Sequence, residues 1–150
     1  YWEKPLPTSK KSSKTSSKQL RAKCLKAIQL LARISATDDI GVAQCVSCGR
    51  KAHYKEMDGG HFVPKGASSY LALKIENVHP QCKACNAFGM KHGSAAQHYT
   101  LWMQDYYGAD YVKDLLGSKN KLIKLYKADY EEMLQEFNDQ IQRHKDRLGE

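Results

Sequence analysis

Two Cys-x-x-Cys pairs, Cys45-Val-Ser-Cys48 and Cys82-Lys-Ala-Cys85, are separated by 33 residues. Each such turn presents two thiolates from one side, and two turns together suit tetrahedral zinc at a Zn–S distance of about 2.3 Å. Four protein ligands leave no position for a reactive water. The expected zinc is therefore structural, contributing on the order of 10 kcal/mol to folding. Gly49, directly after the first pair, permits the tight backbone turn this requires. A redox dithiol would need only one pair. The fifth cysteine, Cys24, stands apart, so the count is odd and a complete disulfide framework is excluded. That pattern reads as metal binding in a reducing cytoplasm.

Between the pairs lies Asp58-Gly-Gly-His61, with Asn77 before the second pair and Asn86 directly after its last cysteine. These residue types suit metal-dependent phosphodiester hydrolysis. A histidine neutral near pH 7 can deprotonate an attacking water. Carboxylate and amide oxygens can hold Mg²⁺ or Mn²⁺, which neutralises charge on the phosphate and the departing oxygen. The zinc would fix Asn86 at the start of a helix, facing the hairpin that carries His61. Asn77 reads as a structural group bonded to local backbone. Asp58 reads equally as a metal ligand or as a turn cap before Gly59. His79 could brace a cysteine sulfur, and Lys91 and His92 could touch a phosphate or simply end a solvated helix.

The elements that position these groups follow from pattern. At 150 residues the chain fits one domain, and 41% hydrophobic residues make only a modest core, the kind that often needs a metal staple. Residues 1–16 read as a basic flexible arm, and residues 17–40 hold an N-terminal helix over about 17–35, with Leu20, Cys24, Ile28 and Leu31 at helical spacing. Residues 41–95 would form the zinc-braced core, with strands at about 55–63 and 72–78 and a helix from about 85 to 91. Residues 96–150 would be a helical tail. Its helices are expected at about 95–107, ended by Gly108 as a left-handed cap, at about 110–116, and at about 120–148. Ile123, Tyr126, Tyr130, Met133, Phe137, Ile141 and Leu148 form a stripe along the last of these. The stripe could pack antiparallel on the first helix or against a second chain.

The net charge of +8 is unevenly spread, at +6 over residues 1–23, +4 over 24–95 and −2 over 96–150. A basic front half attracts polyanions, and Lys10, Lys11, Lys14, Lys18 and Arg21 are the expected phosphate contacts, with Lys91 near the chemistry. No apolar run is long enough for a membrane span, and none is expected. No signal peptide is visible, and a chain that starts at Tyr1 rather than methionine is expected to be part of a longer one.

Asp58-Gly-Gly-His61, Glu76-Asn77-Val-His-Pro-Gln-Cys82 and Cys85-Asn86, framed by Cys45-x-x-Cys48, resemble the HNH (ββα-metal) nuclease motif in its zinc-braced form. More closely, they resemble the NinG (Rap) recombination proteins of lambdoid phages, over most of the chain from about residue 17. The resemblance implies an α+β fold: a small zinc-braced ββα-metal core flanked by an N-terminal helix and a C-terminal helical tail. It implies His61 as general base, Asn77 as the brace of the loop opposite, and Asn86 as metal ligand. It departs at Gly60, where many HNH enzymes carry a metal-binding side chain. Asp58, two residues earlier on the same strand face, could reach the ion in its place; otherwise the metal would rest on Asn86 and water.

The expected function is a metal-dependent DNA endonuclease leaving 5′-phosphate and 3′-hydroxyl ends. The resemblance implies branched substrates, Holliday junctions or D-loops, met in phage recombination within the bacterial cytoplasm. A homodimer joined by the Tyr126–Leu148 stripe would suit a two-fold junction. The rival readings are a zinc-stabilised DNA-binding module without catalysis and, more remotely, a protein-interaction zinc domain.

Overall fold

A computed structural model describes residues 15–150. Lys10, Lys11 and Lys14, with nearly all of the basic arm, lie outside the described residues. The first helix, α1 (Ser17–Ser35), begins where Ser16 and Gln19 cap each other: the Gln19 N–H donates to Ser16 Oγ at 3.1 Å and the Ser16 N–H to Gln19 Oε1 at 2.9 Å. Its buried face carries Leu20, Cys24, Ala27, Ile28, Leu31 and Ile34, the spacing of a single apolar stripe.

Two small antiparallel sheets follow. β1 (Val42–Gln44) and β2 (Lys51–His53) form a short hairpin whose turn carries the first cysteine pair. β3 (Met57–His61) pairs with β4 (Val78–Cys82), setting Met57 opposite Cys82, Asp58 opposite Gln81 and His61 opposite Val78. Beyond β4 the chain makes a π-helical turn, Cys85–Gly89, and a single α-turn, α2 (Met90–His92). Then come α3 (Ala95–Tyr107), α4 (Ala109–Gly117) and α5 (Lys127–Arg147). The architecture is thus mixed α+β, with two sheets and five helices among the described residues.

α1 lies so close to β3 that Gly59 has no room for a side chain: a β-carbon there would fall 2.5 Å from the Gln29 carbonyl oxygen. This approach brings Gln29 and Arg33 of α1 beside the end of β3. The Arg33 guanidinium donates to the Tyr54 and Met57 carbonyls at 3.3 and 3.1 Å.

Four expectations are corrected. The second strand of the main hairpin runs over 78–82 rather than 72–78. Leu71–Leu73 and Ile75–Asn77 are 3₁₀ turns instead. Leu71, Ala72 and Leu73 are all buried on one tight turn, which in sequence looks like strand material. All five residues of β4 are buried, so no alternation announces it. The last helix begins at Lys127, where the Asp129 carboxylate accepts the Tyr126 N–H at 2.7 Å; residues 121–126 are neither helix nor strand. Gly108 has a φ of 95° but an extended ψ of 149°, so it is a one-residue break between α3 and α4, not a left-handed cap.

The fourth concerns direction. α5 packs its Tyr130, Phe137 and Ile141 on α1, but parallel to it. Near its start the Tyr130 carbonyl accepts from Cys24 Sγ at 3.4 Å. At its end the Arg147 guanidinium donates to the Ile34 and Thr37 carbonyls at 3.1 and 3.3 Å. Those contacts place a cation at the negative end of the α1 dipole. The apolar stripe is therefore largely taken up within the chain, although Ile123 and Tyr126 stay exposed. No helix among the described residues is long and apolar enough to cross a membrane.

Candidate functional site

The β1–β2 turn and the end of β4 bring the four cysteines together. The Sγ atoms of Cys45, Cys48, Cys82 and Cys85 all lie within 4.8 Å of one another, and Cys48 and Cys82 are 3.7 Å apart. Tetrahedral zinc requires about 3.8 Å between sulfurs for a Zn–S distance of about 2.3 Å. The cluster could therefore hold a structural metal such as zinc. Gly49, at φ 81°, closes the first turn and donates to the Cys45 carbonyl at 2.9 Å. The Cys48 N–H points at Cys45 Sγ at 3.5 Å. Burial, then the neighbouring cysteines, push the Cys85 thiol well above its ordinary value. Four bare thiolates are thus unfavourable in this space without a cation.

Lys83 lies within the second cysteine turn and Asn86 directly after it, and both reach back to β3. The Lys83 ammonium donates to Asp58 Oδ1 at 2.9 Å, and Asn86 Nδ2 donates to Asp58 Oδ2 at 3.0 Å. Burial opposes the charge on Asp58, but these two bonds and the nearby charges of Lys83 and Arg33 outweigh it and hold the carboxyl below its ordinary range. Asp58 is ionised near neutral pH. It is a member of the cluster on the cleft wall, not a cap on the Gly59 turn.

His61 ends β3, buried, with its Nε2 at 2.9 Å from the Ala72 carbonyl. A carbonyl only accepts, so Nε2 carries the proton, and in the neutral ring the lone pair stays on Nδ1. Nδ1 has no protein partner among the described residues. Burial lowers the pKa of the ring, the bond to Ala72 partly restores it, and the charge of Lys65 lowers it further; the net shift is downward.

Asn77 is fully buried and fastens the loop opposite His61. Its Oδ1 accepts from the Val63 N–H at 2.9 Å, while Nδ2 donates to the Val63 and Leu71 carbonyls at 3.0 Å each. Ala72, the partner of His61, sits at the end of that loop. Asn77→Ala should cost about 3 kcal/mol, because three buried backbone groups lose their partner at once. Urea unfolding measures this, and a loss below about 0.5 kcal/mol would remove the brace from the account.

Asp58, His61, Asn86 and Lys91 line one open cleft of about 620 Å³, together with Gln29, Arg33, Lys65 and Lys83. Its charged lining is four cations and one carboxylate, which suits a polyanion. Lys18 and Arg21 are not part of it. Lys18 is exposed on α1, and Arg21 lies against the 64–73 loop at Ser69, donating to its carbonyl at 3.4 Å. His92 is exposed beside the Phe88 ring. A larger hollow of about 790 Å³, walled by Trp102, Tyr106 and Tyr107, holds none of Asp58, His61 or Asn86.

Gly60 is explained by its neighbour. A β-carbon at 60 would collide with the Gln81 side chain, which crosses from β4 to fill that space and donates to Ser47 Oγ at 2.9 Å. His79, expected near a cysteine sulfur, instead lies between two tyrosines. Tyr99 Oη donates to the Gly60 carbonyl at 2.7 Å, so His79 Nδ1 must donate to Tyr99 Oη at 3.0 Å. That leaves Nε2 to accept from Tyr107 Oη at 2.8 Å. Burial pushes His79 down to about 4, which keeps this chain of bonds neutral. The network holds the peptide just before His61.

Arg33, Lys65 and Lys83 in the cleft, and Tyr99 and Tyr107 behind it, were absent from the sequence reading. Only Lys83 carried a usable signal, since the two cysteines that flank it place it beside Asn86.

The sequence model of the family described as bacteriophage lambda NinG protein matches residues 4–147. No curated protein and no solved structure matches the chain significantly.

Proposed function

The chain belongs to the bacteriophage lambda NinG family, and on that premise we propose that it is a metal-dependent DNA endonuclease of the HNH type, acting on branched recombination intermediates such as Holliday junctions or D-loops. The observation that carries this reading is the tautomer of His61. Its Nε2–H is committed to the Ala72 carbonyl, so Nδ1 is left basic in a cleft walled by four cations. A plain zinc module has no use for a buried neutral histidine held in that way.

In this mechanism Nδ1 of His61 takes a proton from the water that attacks the scissile phosphate. Arg33, Lys65, Lys83 and Lys91 hold the phosphodiester backbone and stabilise charge as it develops. Asn77 and the Tyr107–His79–Tyr99 network keep the histidine oriented. The donor set fits a hard cation: an ionised carboxylate, Asp58, and the Asn86 amide, whose Oδ1 is left over when Nδ2 faces Asp58. Mg²⁺ or Mn²⁺ bound by Asp58 and Asn86 would supply Lewis-acid stabilisation of the departing 3′ oxygen. The four cysteines would carry zinc as a structural brace.

A second reading, a DNA-binding module without catalysis, draws support from the Lys83–Asp58 contact, because a protein cation already satisfies the carboxylate. The deciding test is cleavage of labelled four-way junction and matched linear duplex, each with Mg²⁺, Mn²⁺ or EDTA. Metal-dependent cutting with a junction preference is expected. Tight binding with no cutting in any metal would establish the module instead. Sedimentation of the protein with and without junction DNA would show whether two copies act together.

A further inference from the structure

The connection between α4 and α5 has a composition unlike the rest of the C-terminal half. Residues 115–128 contain four lysines and no carboxylate, within a region whose net charge is negative. Lys119, Lys121 and Lys124 are exposed, and none of them lies within ion-pair distance of a carboxylate among the described residues. Two of the three ammonium groups meet rings instead: Lys121 sits 4.8 Å from the centre of Tyr70, and Lys124 lies 5.6 Å from that of Tyr126. Large apolar groups between them face solvent, with Leu122 90% and Tyr126 63% exposed. An exposed run this rich in lysine and apolar surface is not a plain solvated linker, and it is not core.

The segment is seated beside other cations. Ile123 and Leu125 share a groove of about 370 Å³ with Arg21 of α1, with Tyr70 of the 64–73 loop and with Lys74 just after it. Arg21 and Arg33 are twelve residues apart on α1, and Arg33 lines the cleft. At a rise of about 1.5 Å per residue, the groove and the cleft are about 18 Å apart along that helix, or about five phosphates of one strand. That is too far for one phosphate to touch both, and a short span for a nucleic acid.

We propose that Lys119, Lys121 and Lys124, with Arg21 and Lys74 beside them, form a second DNA-backbone surface that holds a segment remote from the scissile phosphate. The inference rests on the preceding reading only in taking DNA as the ligand. The lysines neutralise phosphates, and the exposed Leu122 and Tyr126 pack against sugars or unstacked bases. The cleft takes Pro64 and Lys65 and the groove takes Ser69, Tyr70 and Leu73 from the same loop, so two arms of a branched molecule can be engaged by one chain.

The test compares the full chain with Lys119→Ser/Lys121→Ser/Lys124→Ser. Fluorescence anisotropy reads binding of four-way-junction DNA across a salt series, and cutting is measured at saturating DNA. The variant should bind on the order of tenfold or more weakly at moderate salt, with the slope of log K against log salt shallower by about 2 to 3. Its cutting rate at saturation should be unchanged, and its bound zinc and thermal midpoint should match those of the parent chain, which excludes misfolding. An unchanged salt slope in a folded variant overturns the surface. If the parent chain cuts nothing in any metal while the variant still loses slope, the nuclease reading fails and the surface stands.

Discussion

His61→Ala is expected to slow metal-dependent DNA cleavage by about 10²- to 10⁴-fold, the range over which a positioned general base contributes, while leaving DNA affinity nearly unchanged. The asymmetry follows from the site. His61 offers one nitrogen to the Ala72 carbonyl; in the proposed mechanism it keeps the other for water, whereas the polyanion would meet Arg33, Lys65, Lys83 and Lys91. The pH dependence is a sharper check. Burial holds the histidine pKa below its ordinary value of 6.5, so the ring is already neutral at pH 7. The rate should rise with pH only below that value and stay level through neutrality. A limb still climbing between pH 7 and 8 would mean that some other group removes the proton. Undiminished cutting by the alanine variant would dismiss His61 altogether.

The other large effect is expected from the four-cysteine cluster. Stripping its metal, or replacing Cys82 by Ser, should unfold the central part of the chain. The reason is the way the apolar residues are divided. One cluster joins α1 to α5, a second joins α3 and α4 to the long loop, and between them Ala43, Cys45, Met57 and Cys82 make a group too small to hold two hairpins together. A structural zinc contributes on the order of 10 kcal/mol, comparable to the whole stability of a typical domain at about 5–15 kcal/mol. Metal analysis should give one zinc per chain, and chelation should abolish near-ultraviolet circular dichroism. A chelated protein that keeps its thermal midpoint and its aromatic signal would show that the cluster is not a brace.

What the sequence disclosed, and what it hid, divide along a physical line. α1 was legible because an apolar stripe is a local signal, repeating every three or four residues; the Ser16–Gln19 cap that starts it went unread. The cysteines were legible because ligand spacing is also local, and α3 and α4 were marked out by Gly108 and Gly117. β4 was not. Its Val-His-Pro-Gln-Cys sequence is buried on both faces, and the partners of its buried polar side chains lie outside the strand, the His79 ring on Tyr99 and Tyr107 and Gln81 Nε2 on Ser47. The direction of α5 was hidden for a similar reason: a stripe of Tyr130, Phe137 and Ile141 records which face is apolar and nothing about which way the partner runs. At the site, Asp58, His61 and Asn86 could be named from spacing. The groups that set their charge and orientation, Lys83 on Asp58, Ala72 on His61 and Tyr99 on the neighbouring Gly60 carbonyl, reach across eleven residues or more, and no local pattern reports such a contact.

The parallel packing of α1 and α5 also bears on how the chain is made. The earlier helix presents Leu20, Cys24, Ile28 and Leu31 to a partner synthesised later, with both hairpins and three other helices between them. During translation Tyr54, Leu73 and Val78 can cover part of that apolar face, but the part that meets Tyr130, Phe137 and Ile141 stays open until α5 has left the ribosome. Closing so long a loop makes assembly of this layer slow compared with the hairpins, and the exposed stripe is a ready surface for aggregation or for a chaperone. Production of the protein in bacteria should therefore be limited by the interval between the two helices rather than by the stability of the finished fold.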